Sequence, residues 1–231
     1  MNKGGKMPIT HINVCWDSEL SNYEVHVILD ACIQVRELFP ELTFDVYGSD
    51  PWSEGEYSSA DWYVDQAKEY VTRWITASGE IIDHLQLDAD SIVDRLGEEP
   101  WQRSDPHIDI MMVSKDLMAF DHGHPLNFVF GLADGRVTVQ SVARYRGLPP
   151  RDRYLAIQAV IWHELGHILG MAGDLRRSHT EYNLGPHCTN YCVMRQGLSV
   201  EEWVQHARQA TGRNRIYCPQ CLADARRYFT S

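Results

Sequence analysis

Residues 162–170 read Trp-His-Glu-Leu-Gly-His-Ile-Leu-Gly, a run that on a helix gathers two imidazoles and a carboxylate. His163 and His167 are four positions apart. They therefore lie roughly 40° around the helix axis and about 6 Å along it, so both rings can reach one tetrahedral zinc. Glu164 projects between them, placed to take a proton from a water on such an ion and pass it to a leaving amine. The competing reading is an amphipathic helix with two solvent-facing histidines. Against it, Leu155, Ile157, Val160, Ile161, Trp162, Leu165, Ile168 and Leu169 make the helix apolar nearly all round. Polar groups on a buried helix need partners, and a metal satisfies both imidazoles at once. Gly166 costs about 1 kcal/mol in a helix interior, which implies close packing against that turn.

A second constellation follows. Cys188 and Cys192 form one pair, and Cys218 and Cys221 form a Cys-x-x-Cys. Four thiolates close a zinc coordination sphere and leave no position for substrate, so this site reads as structural. A redox Cys-x-x-Cys would need a strand-to-helix setting that the flanking residues do not suggest. Cys15 and Cys32 stand alone and read as buried single thiols. His122 and His124 flank a glycine before Pro125, and a loop is their expected home. Trp16, Trp52, Trp62, Trp74 and Trp101 read as core and lid residues rather than a ligand cage.

The chain that must position these groups has 231 residues, 44% hydrophobic and 23% charged, which suits a globular protein with a sizeable core. Its formal charge of -11 argues against nucleic acid, whose phosphates need clustered Lys and Arg, and against an anionic membrane surface. No apolar stretch follows the first lysines as a signal peptide requires, and none is long enough to cross a bilayer. The expectation is a cytoplasmic protein with reduced thiols.

Polar–apolar alternation predicts a strand over 9–14 and another over 42–47, with a helix over 19–38 ended by Pro40. Residues 57–96 read as mostly helical, broken near 78–79. Residues 108–113 read as a strand and 121–125 as a loop. Residues 127–130 and 136–144 read as a hairpin around Asp134-Gly135. A helix over 151–169, entered through Pro149-Pro150 and stopped by Gly170, carries the His-Glu-x-x-His run. Shorter helices follow near 199–210 and 220–229.

Together these residues resemble the archaemetzincins, a family with HExxHxxGxxHC, a second Cys, a Met two residues later and a distant CxxC. The matching residues are His163, Glu164, His167, Gly170, His187, Cys188, Cys192, Met194, Cys218 and Cys221. The likeness extends upstream through 128–131 and 137–144, while the first 125 residues match in general strand–helix order. The resemblance implies an α/β (α+β) fold of zincin or metzincin type, with a twisted mixed sheet packed on the active-site helix. Residues 1–170 would form an N-terminal zincin subdomain, and 171–231 a zinc-stapled C-terminal one. It also implies two zinc ions, one catalytic and one structural, with His187 as third catalytic ligand and Met194 as the Met-turn residue beneath it. Arg136, Val137, Thr138, Val139 and Gln140 would be the sheet edge along which an extended peptide adds, main chain to main chain.

This chain departs from the family at the third ligand. The family leaves two residues between its glycine and its third His, but here Gly173 fills that position and residues 171–186 separate Gly170 from His187. Asp174, His179 and His187 therefore compete. A ligand inside the loop would have to order it, at about 1–2 kcal/mol per residue, whereas His187 is held by the neighbouring Cys188. His187 is preferred, Asp174 is the runner-up, and 171–186 reads as a flap. The expected function is hydrolysis of peptide bonds in a peptide or protein substrate, with Glu164 as general base. A non-catalytic zinc-stabilised peptide-binding module and a zinc hydrolase of another amide are the alternatives; a carboxylate at Glu164 favours catalysis.

Overall fold

The computed structural model describes residues 8–49, 60–75, 79–173, 175–213 and 215–230. The chain opens with β1 (His11–Trp16), helix α1 (Asn22–Leu38) and β2 (Thr43–Gly48), which lies parallel to β1. Ser21 starts α1 with a capping box: its hydroxyl accepts from the Glu24 amide while the Glu24 carboxylate accepts from the Ser21 amide. The buried stripe of α1 holds Val27, Ile28, Ala31, Cys32 and Val35.

Residues 57–96 do not follow the helical reading. Within the described part, helix covers only α2 (Ala60–Gln66) and α3 (Ala89–Glu98). Between them, β3 (Glu69–Ile75) and β4 (Ile81–Asp88) form an antiparallel ladder from Glu69↔Leu87 to Ile75↔Ile81. Tyr70, Val71, Thr72, Ile81 and Ile82 are β-branched or aromatic and favour strands. Val71, Ile81, Ile82 and Leu85 are solvent-exposed, so the apolar spacing there does not mark a buried helix stripe. A short helix, α4 (Trp101–Ser104), precedes β5 (Ile108–Val113). Then come β6 (Asp116–Met118) and the small ribbon of β7 (Phe120–Asp121) and β8 (His124–Pro125). That ribbon turns through His122 and Gly123, both at positive φ, where a plain loop was expected.

β9 (Gly131–Asp134) and β10 (Val137–Ser141) form the hairpin around Asp134-Gly135. Its first arm sits later than the expected 127–130. The two-residue turn at Gly135 (φ 57) sets the register Val137↔Asp134 to Gln140↔Gly131. Helix α5 (Pro150–Ile168) follows, ending where Gly170 adopts φ 70. A second hairpin of β11 (Thr180–Tyr182) and β12 (Pro186–Cys188) precedes α6 (Val200–Gly212) and α7 (Pro219–Thr230).

The main sheet has the order β2-β1-β5-β10-β9, all parallel except the last pair. Its residues alternate between two apolar layers. Ile12, Val14, Ile108, Ile110 and Met112 face α1 and α5, while Cys15, Met111, Val113, Val137 and Val139 face α2 and α3. The first layer continues across residue 170 to Cys188, Trp203, Tyr217 and Ala225. Trp162 of α5 donates to Ala31 O at 3.2 Å, and Tyr217 donates back to Trp162 O at 2.7 Å. Helix α5 is thus fixed on both sides. No helix among the described residues is long and apolar enough to cross a membrane.

This topology corrects the expected substrate edge. Arg136 lies in the turn, and Val137, Thr138, Val139 and Gln140 belong to β10, which is paired on both sides and buried throughout. The edge is β9, because the chain reverses at Gly135 and Arg136 and so sets β9 antiparallel on the outer side of β10.

Candidate metal centre and cleft

The helix α5 is buried from Leu155 to Gly166, and its polar side chains converge at one end. His163 Nδ1 lies 2.7 Å from Val193 O. A carbonyl only accepts, so Nδ1 carries the proton and Nε2 presents a lone pair. His187 is set likewise by Gly185 O, 3.0 Å from its Nδ1. His167 Nε2 stands 3.0 Å from His163 Nε2, and the ligand atoms of all three histidines lie within 4.8 Å of one another. The edge of a zinc tetrahedron with nitrogen ligands is roughly 3.3 Å, so the trio fits such an ion.

The electrostatics agree with ligation. Burial, joined by repulsion from His167 and His187, pushes His163 far below its ordinary pKa; burial and His187 push His167 down to about 3. Burial also lowers His187, partly offset by the Gly185 carbonyl. Neutral imidazoles are what a metal requires. Burial raises Glu164 to about 8; a cation beside it acts the other way.

Two close approaches shape the floor. A Cβ added at Gly166 would come within 2.2 Å of Met194 Sδ, so this glycine lets the fully buried Met194 press against the turn that carries His163 and His167. Met194 O in turn accepts from Cys188 N at 2.8 Å. A Cβ at Gly131 of β9 would stand 2.8 Å from both Cγ and Oε1 of Glu164. The sheet edge therefore passes directly over the carboxylate. The resulting cleft, about 520 Å³, has Glu164 and the three histidines among its lining. Its apolar lining includes Phe128, Phe130, Leu132, Leu184, Leu198 and Trp203, with the Phe130 and Trp203 rings in contact at 5.5 Å between centroids.

The four clustered cysteines form a second centre. Cys188 and Cys218 sulfurs are 3.8 Å apart, as are those of Cys192 and Cys221. A disulfide needs about 2.05 Å, whereas a tetrahedron with 2.3 Å zinc–sulfur bonds has edges of roughly 3.8 Å. The donor set and spacing fit zinc. β12 carries His187 and Cys188 side by side, joining the two centres.

Of the competing ligands, His187 lies with His163 and His167, His179 is exposed at φ 53 outside the trio, and Asp174 falls outside the described residues. Trp52 also falls outside them. His122 and His124 are exposed and gather no further ligand among the described residues. The sequence reading missed three contributors: the β9 edge, the Val193 and Gly185 carbonyls, and Arg176, which contacts the cysteines. Only Gly131 left a signal, as a glycine closing an apolar run where no positive φ is needed.

No family model and no curated protein matches the chain. Solved structures do. Archaemetzincin from Methanopyrus kandleri superposes with a TM-score of 0.61 at 19% identity, covering 96% of this chain and 97% of that one. Archaemetzincin from Archaeoglobus fulgidus, complexed with malonate, gives 0.53 at 20% identity over 93% and 99%. A zinc-dependent peptidase from Methanocorpusculum labreanum gives 0.55 at 15% identity, again over 93% and 99%. The chain has the fold of these proteins: a mixed sheet packed on helices, with the four-cysteine cluster beside the histidine trio.

Proposed function

We propose that this protein is a zinc metallopeptidase that hydrolyses peptide bonds of extended peptides. The observation that carries the reading is the convergence of His163, His167 and His187 beside buried Glu164, directly under the sheet edge β9. The solved proteins of the same fold are named as archaemetzincins and a zinc-dependent peptidase, which supports it. A zinc ion held by the three histidines supplies Lewis acidity toward a carbonyl and a water molecule.

The chain's own groups supply the rest. β9, outermost in the main sheet among the described residues, offers the main chain of its outer side to an extended substrate, which adds as one more strand. Gly131 keeps that strand close enough for Glu164 to reach the scissile bond. Glu164 takes the proton of the attacking water and delivers it to the departing nitrogen. Phe128, Phe130 and Trp203 exclude water and receive substrate side chains. The Cys188–Cys192–Cys218–Cys221 centre takes a second, structural zinc, and its free thiols suit a reducing, cytoplasmic setting.

The test is digestion of a peptide library by the wild type beside Glu164→Gln, with zinc measured in both. The wild type should cut peptide bonds, and the variant should keep its zinc while losing several orders of magnitude in rate. Equal cleavage by both removes Glu164 as base. A zinc-loaded wild type that binds peptides and cuts none is a binding module.

A further inference from the structure

Arg176 belongs to the segment between α5 and β12, and its side chain is only 4% exposed. A buried permanent charge is costly unless fully paired, so its partners define its purpose. Nη1 donates to Cys221 Sγ at 3.2 Å and lies 3.4 Å from Asp224 Oδ2. Nη2 donates to Cys188 Sγ at 3.2 Å and to Gln220 Oε1 at 3.0 Å. Nε donates to Ser178 O at 3.0 Å. One guanidinium thus bridges a sulfur from each cysteine pair. Neutral thiols are weak acceptors, whereas thiolates accept charge-assisted bonds. Four thiolates around a divalent ion carry a net charge of about -2, which a guanidinium offsets.

The same side chain ties down the loop that ends at the cleft. Asp224 also accepts from Ala172 N at 3.0 Å, at the loop's start. Thr180 Oγ1 reaches Ala172 O at 3.3 Å and His187 O at 3.1 Å, and Thr189 N donates to His179 O at 3.1 Å. Ala172, His179 and Leu184 all hold positive φ, uncommon for any residue but glycine, and for Ala172 and Leu184 a conformation that the surroundings must impose. Leu184 to His187 then line the cleft.

We propose that Arg176 clamps the four-cysteine centre from its second coordination sphere, so that metal bound there also orders the 171–186 loop and the hairpin presenting His187. This rests on the structural-zinc reading of the cysteines. The experiment compares wild type, Arg176→Gln and Arg176→Lys, all loaded with two zinc ions. Its readouts are zinc release into excess chelator, the thiolate-to-cobalt absorption of the cobalt-substituted protein, and hydrogen exchange over 178–188 and α5.

Arg176→Gln should release the cysteine-site zinc 10- to 100-fold faster, shift the cobalt band, and lose exchange protection in the hairpin but not in α5. Arg176→Lys, with charge but no fork, should fall between, and it carries the test if Arg176→Gln does not accumulate. Release within twofold of wild type, with only the melting temperature lowered, would leave Arg176 as a plain ion-pair partner of Asp224 and overturn the proposal. A wild type that holds no metal on its cysteines overturns the underlying reading instead.

Discussion

Gly131→Ala places one methyl group between the sheet edge and Glu164, the proposed base. Its Cβ would lie 2.8 Å from Glu164 Cγ, 2.8 Å from Glu164 Oε1 and 3.0 Å from Gln140 Cγ. Carbon atoms pack at about 3.5–4.0 Å, so something must retreat by roughly 0.7 Å or more. Gln140 is fully buried, with its amide bonded to Thr138 Oγ1 at 2.7 Å. β9 is held by four register pairs with β10. Glu164, which borders the cleft, is the group free to move. A misplacement on the order of 1 Å costs up to about 100-fold, or roughly 2.7 kcal/mol on the barrier. Overpacking costs about 1–3 kcal/mol in stability, partly offset by about 0.4–1 kcal/mol from the stiffer unfolded chain. The assay is kcat and KM on one peptide, with zinc content and thermal melting in parallel. The expected pattern is kcat down 10- to 100-fold, with KM and zinc nearly unchanged and a small loss of melting temperature. A kcat within threefold of wild type would refute the claim that this glycine makes room for the base.

Gly166→Ala should destabilise by about 1–3 kcal/mol, despite a helix-propensity gain of about 1 kcal/mol, because its Cβ meets Met194 Sδ at 2.2 Å. In a Met194→Ala background the same change should become neutral or stabilising in urea melts; an equal cost in both backgrounds would exclude this contact as the cause. Glu24 is fully buried; burial raises its pKa, but bonds from Arg146, Ser21 and Arg153 outweigh that and hold it at about 2, below the ordinary 4.5. Its ionised form therefore stabilises the fold fully above pH 4.5, and that contribution is lost as pH falls toward 2. Wild type should exceed Glu24→Gln by roughly 2 kcal/mol at neutral pH, allowing for solvent around the arginines. Urea melts should show the gap closing in that acid window, and a gap unchanged at pH 3 would count against the ion-pair account.

Helix α5 was legible because its information is local. The four-residue interval of His163 and His167 and the all-round apolar character lie within one element, and Gly170 stops it two residues past its end. The cysteine pairs were legible because their ligand spacing is itself the signal. Strand order was not, since it depends on pairings distant in sequence. Residues 137–141 alternate like an exposed edge, yet Thr138 and Gln140 are as buried as Val137 and Val139. The true edge, Gly-Leu-Ala-Asp, is too short and too weakly patterned to stand out. The β3–β4 ribbon misled because Val71, Ile81, Ile82 and Leu85 are exposed and so carry no burial period. Arg176 gave no sign, since an arginine in a polar loop becomes informative only when its fork is seen against two sulfurs.

The most direct test of the account removes the two metals one at a time. Protein loaded with two zinc ions is titrated with chelator while zinc per chain, peptide cleavage and melting temperature are followed together. The histidine centre keeps an open position and has no thiolates, so its ion should leave first. Cleavage should fall to background with that ion, at nearly unchanged melting temperature, and return on adding back one equivalent of zinc. The melting temperature should collapse only when the cysteine-bound ion goes. Full cleavage after loss of the first zinc, or a collapse of stability accompanying that first loss, would contradict the division into one catalytic and one structural centre.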